Sequence, residues 1–137
     1  MLLGLVLALA MQAGPPKSAI VTIATDTMSG VEVPKQIAAR TPAEWAALWR
    51  QHAGDTALPK VDLAARTVVA VFLGSRSSAG YAVEITGTRH DQGALIVEWS
   101  ERRPEPGTLS AQVLTSPAHI ATIPKFAGVI RFEKVER

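Results

Sequence analysis

The sequence predicts a mainly β fold of the α+β class: an antiparallel sheet, or a small sandwich or partial barrel, of about six to eight strands with one packed helix over about residues 42–53. Two observations carry this prediction. A single amphipathic segment with clear helix-start residues follows Thr41. Most other apolar residues fall in short runs bounded by glycine, proline or polar turn residues, as strands do. At 137 residues, the chain is long enough for one domain with its own core.

The beginning of the chain predicts a signal peptide over residues 1–13, which leaves residues 19–137 as a single domain. This segment has no charged side chain, and its apolar run is too short to span a bilayer comfortably. The small residues Ala8, Ala10 and Ala13 offer cleavage positions. A buried N-terminal helix is the alternative. The signal peptide predicts an exported bacterial protein, periplasmic or secreted, with no stable membrane span after its removal.

Two extended segments come first in the domain. Residues 19–24 are rich in β-branched side chains, which predicts a strand. Residues 31–34 begin a second extended piece. Because Pro34 has no N–H to donate, this piece belongs at a sheet edge or outside the sheet.

The helix is the clearest local prediction, over about residues 42–52 with an end near Gly54. Thr41 at the N-cap, Pro42 at the first helical position and Glu44 at the third form a capping box. Four residues at helical spacing share one face, through which the helix is predicted to pack: Trp45, Leu48, Trp49 and His52.

The remaining strands follow from apolar runs and their breaks. Residues 68–73 have no polar face, which predicts a central strand covered on both sides. Residues 81–88 and 95–100 alternate apolar and polar side chains, which predicts a hairpin closed by the turn 89–93, with Gly93 at positive φ. Three further short strands are predicted over residues 111–115, 119–123 and 128–133.

Composition and motifs argue against several functions. The charge is only +2, and its scattered basic residues form no stripe of the kind that nucleic-acid binding needs. The absence of cysteine excludes thiol catalysis and thiolate zinc sites. Neither G-x-S-x-G nor S-x-x-K occurs, although a Ser/His/Asp triad assembled in space stays open. The three histidines His52, His90 and His119 are not at metal-ligand spacing. We therefore expect no enzyme activity, no metal and no cofactor.

The polar loop 74–81 is the most informative candidate site. It stands between two predicted strands, where Arg76 offers a planar donor fork and serines add adaptable hydroxyls. Together with the stiff loop 102–107 it predicts a protein-contact surface formed by Arg76, Ser77, Ser78, Gly80, Tyr81, Arg102, Arg103 and Pro104. The alternative is a structural turn in which the glycines take unusual φ angles and Tyr81 fills the core. Structural roles are predicted for Gly74, Trp45, Trp49, Pro117 and Pro124.

The order of these motifs resembles a known family. Trp45 and Trp49, Pro59-x-Val61-Asp62 and the strand 68–73 are followed by Gly74-x-Arg76-x-Ser78-Ala79-Gly80-Tyr81, Pro104-x-Pro106-Gly107, Leu114-Thr115-Ser116-Pro117 and Ile123-Pro124-Lys125. Over about residues 41–134 this pattern is similar to the C-terminal domain family named after the protease-complex subunit PrcB. Two departures are Ala79, where the family more often has glycine, and the lack of the cysteine that would make a lipoprotein.

The resemblance implies a non-catalytic partner of another protein, because the family's namesake associates with a surface protease and is needed for the stable protease complex. We therefore expect an exported protein-binding domain that assists the assembly or stability of a protease or other envelope complex. One alternative is a protease inhibitor that acts through the turn ending in Gly80-Tyr81. Another is a small-ligand-binding domain with a pocket between Trp45, Trp49 and the sheet.

Overall fold

The computed structural model describes residues 19–136, so the predicted signal peptide lies outside the described residues. This part of the chain contains seven strands and one helix, which confirms the mainly β, α+β fold class. Their bounds are β1 Val21–Asp26, β2 Lys35–Ala39, α1 Pro42–Ala53, β3 Arg66–Phe72, β4 Ala82–Asp91, β5 Ala94–Arg102, β6 Ala118–Pro124 and β7 Ile130–Lys134.

The strands form two separate sheets, so the molecule is an open sandwich and not a closed barrel. The four-stranded sheet has the order β1-β6-β3-β2 and is antiparallel throughout. The three-stranded sheet has the order β4-β5-β7. One core cluster joins α1 to the first sheet, and a second cluster lies between the two sheets. The layers are therefore helix, four-stranded sheet and three-stranded sheet.

Strand β3 occupies the central position that its unbroken apolar run predicts. Its alternate side chains enter the two core clusters, with Val68 and Phe72 toward the helix and Val69 and Val71 toward the second sheet. All four side chains are fully buried. Burial on both faces explains why this strand shows no alternation of apolar and polar residues.

The helix begins and ends where its sequence predicts. The Thr41 hydroxyl accepts a hydrogen bond from the Glu44 N–H at 3.1 Å, and the Glu44 carboxylate accepts one from the Arg40 N–H at 2.8 Å. Gly54 ends the helix at φ +59 and donates its N–H to the Arg50 carbonyl. The four residues of the predicted face are all buried: Trp45, Leu48, Trp49 and His52.

The β4–β5 hairpin is confirmed, with a tighter turn and longer strands than predicted. Only Gln92 and Gly93 lie between the strands, at φ 53 and 85, the left-handed region that a two-residue hairpin turn requires. Val83 and Ile85 are buried as the alternation predicts. In β5 the Ser100 side chain is buried as well, although the pattern predicts that it faces solvent.

Two strand predictions are wrong. Residues 111–115 are not a strand, because the Val113 N–H turns back to the Ala111 carbonyl at 3.0 Å; the segment makes one isolated bridge, between Thr115 and Arg76. Strand β7 pairs with β5 in parallel and not in an antiparallel meander. The chain leaves β6 at the end of the sandwich where β5 begins, so β7 has to run in the same direction as β5.

The three longest strand-to-strand connections without a helix emerge at one end of the sandwich. Phe72, the last residue of β3, pairs with Lys35 and with Ala118, and Ala118 also pairs with Asp26. In the second sheet, Ala82 pairs with Arg102 at the corresponding end. We call this the loop end; it consists of the connections 27–34, 73–81 and 103–117.

Candidate functional site

The loop end carries most of the exposed apolar side chains in the described part of the chain. Of eight large apolar residues that are exposed within residues 19–136, five lie on two of its three loops, 27–34 and 103–117. They are Met28, Val33, Leu109, Val113 and Leu114. Leu109 is completely exposed. Because water is a poor environment for such groups, their concentration at one end makes the loop end the candidate site.

Backbone hydrogen bonds join the three loops to one another. The Ser29 N–H donates to the Ser116 carbonyl at 2.9 Å, which ties the first loop to the third. The Arg76 N–H donates to the Thr115 carbonyl at 2.8 Å, and the Thr115 N–H donates back to Arg76 at 2.9 Å. The Ser75 N–H donates to the Glu32 carbonyl at 3.1 Å. The loop end is therefore a connected platform and not three independent loops.

Arg76 is placed inside this platform and directs its guanidinium inward. Its Nε lies 2.9 Å from Glu101 Oε2, and its Nη2 lies 3.3 Å from Oε1, a bidentate pair. Its Nη1 donates to the carbonyls of Leu73 and Ser75 at 3.1 and 3.0 Å. The Tyr81 ring lies beside it, with its centroid 5.8 Å from the guanidinium carbon. Arg76 thus fastens the loop to β5, and few of its donors remain for a partner.

The carboxylate that Arg76 holds is almost completely buried. The Glu101 side chain is 4% exposed, and Lys134 Nζ approaches its Oε1 at 3.2 Å. Hydrogen bonds from Arg76, and more weakly from Lys134, hold the pKa of Glu101 below its ordinary value, against the opposing effect of burial. This ionic cluster is a structural element of the loop end.

The other residues predicted in the 74–81 loop divide between surface and interior. Ser77 is exposed, whereas Ser78 is buried and donates its hydroxyl to the Ala79 carbonyl at 3.1 Å. Tyr81 is half-buried. Among residues 19–136, Gln92 is the only residue other than glycine at positive φ, so Ala79 fits its place without strain. The loop conformation therefore does not require the glycine that the family more often has.

Two glycines hold the loop against its neighbours. Gly74 lies at φ +82, and a Cβ there would stand 2.8 Å from the ring of Pro34. Gly80 lies at φ +99, and a Cβ there would stand 2.8 Å from Pro104 Cγ. The structure thus brings the 74–81 and 102–107 segments together, as the sequence predicts for a joint surface. Pro117 is fully buried at the start of β6, and its carbonyl accepts the Leu73 N–H at 3.0 Å.

The remaining predicted residues lie at different places. Arg102 and Arg103 are exposed at the end of β5, and Pro124 ends β6 at the opposite end of the sandwich. Trp45 and Trp49 are buried, with ring centroids 5.6 Å apart and their indole N–H groups donating to the carbonyls of residues 59 and 56. Core side chains fill the space between them and the sheet. A cavity of about 660 Å³ lies elsewhere, beside Trp45 and residues 58–64.

A Ser–His–Asp arrangement that the sequence does not reveal lies beneath the first loop. Ser29 Oγ is 2.7 Å from His52 Nδ1, and His52 Nε2 is 3.9 Å from Asp26 Oδ2. The Val31 N–H donates to Ser29 Oγ at 3.1 Å. Ser29 and His52 are each 5% exposed. These hydrogen bonds join residues 29–31 to the end of the helix.

His119 is a second buried histidine, located between the two sheets. Its Nδ1 accepts the Ile85 N–H at 2.8 Å, which places the ring proton on Nε2, 2.9 Å from Thr22 Oγ1. Burial lowers the pKa of both His52 and His119, and the nearby Asp26 and Glu84 carboxylates oppose this only in part. The side chains of both histidines are therefore neutral imidazoles in the folded protein.

The lowered pKa values predict that stability falls with acidity. Below the ordinary histidine pKa of 6.5, the unfolded chain binds protons that the folded chain does not. The free energy of unfolding should thus be highest above pH 6.5. It should fall as the pH decreases from 6.5 to the lower pKa values that the two histidines have in the folded protein. Urea unfolding at about pH 7.5 and about pH 5.5 measures the difference.

Two histidine variants test whether His119 causes part of this pH dependence of stability. His119→Gln retains an acceptor for Ile85 and a donor for Thr22 but cannot titrate, so the drop between the two pH values should shrink. His90→Gln alters an exposed histidine near the hairpin turn and is the matched control. The assignment to His119 would be contradicted if His119→Gln lost as much stability between the two pH values as the wild type. It would also be contradicted if His90→Gln reduced that loss by the same amount.

Sequence reasoning missed several residues that define the loop end and its surroundings. Val113 and Leu114 fall in the segment that was predicted to be a strand, where apolar side chains are expected to be buried. Glu101, Ser29 and Thr22 have roles only through partners distant in the sequence. A run of apolar residues next to Pro104-x-Pro106-Gly107 is the one local signal that could have identified the exposed segment.

The structure also bears on metal binding and on membrane insertion. Residues 19–136 contain no group of three or more histidine or acidic side chains placed to hold a metal ion. In the same part of the chain, no helix is long and apolar enough to cross a membrane.

Comparison with known proteins gives one match. No curated protein and no solved structure matches the chain. A family model described as PrcB C-terminal matches residues 67–124, from β3 to the end of β6, and this match includes the loops 73–81 and 103–117. The matched segment lies within the range over which the motifs resemble that family. Over residues 67–124 the chain is therefore similar to the PrcB C-terminal family.

Proposed function

We propose that this chain is a non-catalytic protein-binding domain whose loop end docks on another protein. The observation that carries the proposal is the set of five exposed apolar side chains on the loops 27–34 and 103–117, which are joined by backbone hydrogen bonds to each other and to the loop 73–81. Apolar groups supply the free energy of association, and a platform that is already ordered loses little conformational entropy on binding. Rigid strands that present loops are a common scaffold for such surfaces.

We further propose that the partner belongs to a protease-related complex in the envelope or outside the cell. Support comes from the similarity to a family that is named after a subunit of a protease complex, and from the uncharged apolar sequence of residues 1–13, which is typical of a signal peptide. In this complex the domain acts by stabilising its partner. The buried Ser29 and His52 anchor a loop, which is consistent with a role that involves no catalysis.

A pair of substitutions on the loop end tests the proposal. Leu109→Ser together with Leu114→Ser should reduce recovery of the partner about tenfold or more, because the loss of two exposed apolar contacts removes buried area from the interface. Val129→Ser is the matched control, since Val129 is similarly exposed but lies beside the start of β7, at the other end of the sandwich. Affinity capture from the native host, with thermal unfolding of each variant, measures both binding and stability.

Photo-crosslinking at defined positions locates the surface. A crosslinker at position 113 should capture a protein that one at position 129 does not, and mass spectrometry should identify a protease or a subunit of its complex. Adding the pure domain to that protease separates stabilisation from inhibition, since a stabiliser prolongs activity whereas an inhibitor abolishes it. Equal capture from both positions, or full binding by the double variant, would refute the loop-end assignment.

A further inference from the structure

A polar pocket of about 270 Å³ opens at the seam between the two sheets. Its walls come from four strands: Thr22 and Thr25 on β1, Glu84 on β4, Arg102 at the end of β5 and His119 on β6. Strands β1 and β4 are both at the edges of their sheets. The pocket is therefore a gap between two edge strands of the part of the chain that the structure describes, and its lining differs from the apolar side chains of the loop end.

The hydrogen bonds beneath the pocket give Thr22 a defined role. The Ile85 N–H can only donate, so His119 Nδ1 accepts and His119 Nε2 carries the ring proton. That proton is donated to Thr22 Oγ1 at 2.9 Å. Because His119 cannot accept in return, the hydroxyl proton of Thr22 is directed away from the ring. Thr22 is exposed, so this proton is available as a donor to a bound molecule.

The other pocket residues add one more hydroxyl and one charge of each sign. The Thr25 hydroxyl and the Arg102 guanidinium have no hydrogen bond or ion pair with any residue from 19 to 136. Two hydroxyl donors and a planar guanidinium fork match the oxygen atoms of a carboxylate. The Glu84 carboxylate, which attracts His119, supplies negative charge on the β4 wall. A ligand that suits both walls carries a carboxylate and, next to it, an N–H or ammonium group.

We propose that this pocket binds an α-carboxylate with its neighbouring nitrogen, as in a peptide C-terminus or a free amino acid. The carboxylate oxygens lie toward Arg102 and the two threonine hydroxyls, and the nitrogen lies toward Glu84. The volume of about 270 Å³ suits a ligand of residue size. The pocket borders the loop end, since Ala82 and Arg102 adjoin its loops, but its lining is polar whereas the exposed side chains of those loops are apolar.

Titration with matched small molecules tests this site. N-acetyl-alanine and alanine carry the carboxylate, and N-acetyl-alanine amide lacks it; each is added to the purified protein and followed by amide chemical shifts in NMR. We expect saturable shifts around Thr22 and Ile85 with a carboxylate ligand, with a Kd of about 1 mM. Tighter binding of N-acetyl-alanine assigns the site to chain ends, and tighter binding of alanine assigns it to free amino acids. Equal response to the amide, or no saturation by either acid, overturns the proposal.

Neighbouring arginines provide a matched pair of variants. Arg102→Gln should weaken carboxylate binding about tenfold or more, because a charge-assisted pair is lost. Arg103→Gln changes an exposed arginine that is not in the pocket lining and should leave the affinity unchanged. Unaltered shifts in the core show that each variant is folded. Unchanged affinity in Arg102→Gln overturns the site, whereas capture of the protein partner depends on Leu109 and Leu114 and is measured separately.

Discussion

Arg76→Ala is expected to lower the free energy of unfolding by about 2–3 kcal/mol, because among residues 19–136 it leaves the buried Glu101 carboxylate with Lys134 as its only ionic partner. The figure lies below the upper range for buried ion pairs, since the Arg76 side chain is 27% exposed. Two carbonyl oxygens, of Leu73 and Ser75, lose their donor in the same substitution. Chemical denaturation of the purified domain measures the loss.

Two further variants make this prediction specific. Arg103→Ala removes a neighbouring exposed arginine and should change stability by no more than about 0.5 kcal/mol. Arg76→Lys keeps the charge but loses the bidentate geometry, so its stability should lie between the wild type and Arg76→Ala. A loss below about 1 kcal/mol in Arg76→Ala would contradict a structural role for the ion pair. If Arg76→Ala lowers the stability as expected, a reduction in partner binding by the same variant is explained by a displaced loop and does not require a contact between Arg76 and the partner.

Gly74→Ala is expected to cost about 2–4 kcal/mol through two additive effects. The residue lies at φ +82, where a side chain is strained, and its Cβ would stand 2.8 Å from both the backbone N and the Cδ of Pro34. Neither of these atoms belongs to a flexible side chain, so relief requires the loops 27–34 and 73–81 to separate. Thermal or urea unfolding measures the change.

Gly107→Ala is the matched control for the Gly74 variant. It has nearly the same φ, +86, but no atom within 4 Å of the added Cβ. It should therefore cost only the backbone strain, about 1–2 kcal/mol. The difference between the two variants isolates the close contact with Pro34. Equal losses in the two variants would show that the contact between the loops contributes nothing to stability.

Local patterns predicted the elements whose determinants are local. The helix followed from Thr41, Pro42 and Glu44 within one turn, and β3 from a single apolar run. Strand β2 begins only after Pro34, and its Lys35 and Gln36 gave no strand signal. The direction of β7 depends on which end of the sandwich the chain occupies when β6 ends, and no local pattern contains that information.

The site was predicted less completely, for a related reason. A lone arginine among serines is typical of an exposed donor, but Arg76 is paired with Glu101, 25 residues away in the sequence. Thr22 and His119 are separated by 97 residues. Residue types indicate what a side chain is able to do, whereas its partners depend on strand order. The exposure of Leu114 likewise is not visible in its apolar neighbours, which lie on a turned loop and not on a strand.

The backbone hydrogen bonds that join the three loops have a consequence for how this domain varies. Main-chain groups make these bonds, so they persist when Met28, Val33, Leu109, Val113 or Leu114 is replaced by another residue. Folding and the proposed docking are therefore encoded by different positions. The exposed side chains are free to change while the main-chain hydrogen bonds, the glycines and the ion pair keep the loops in place.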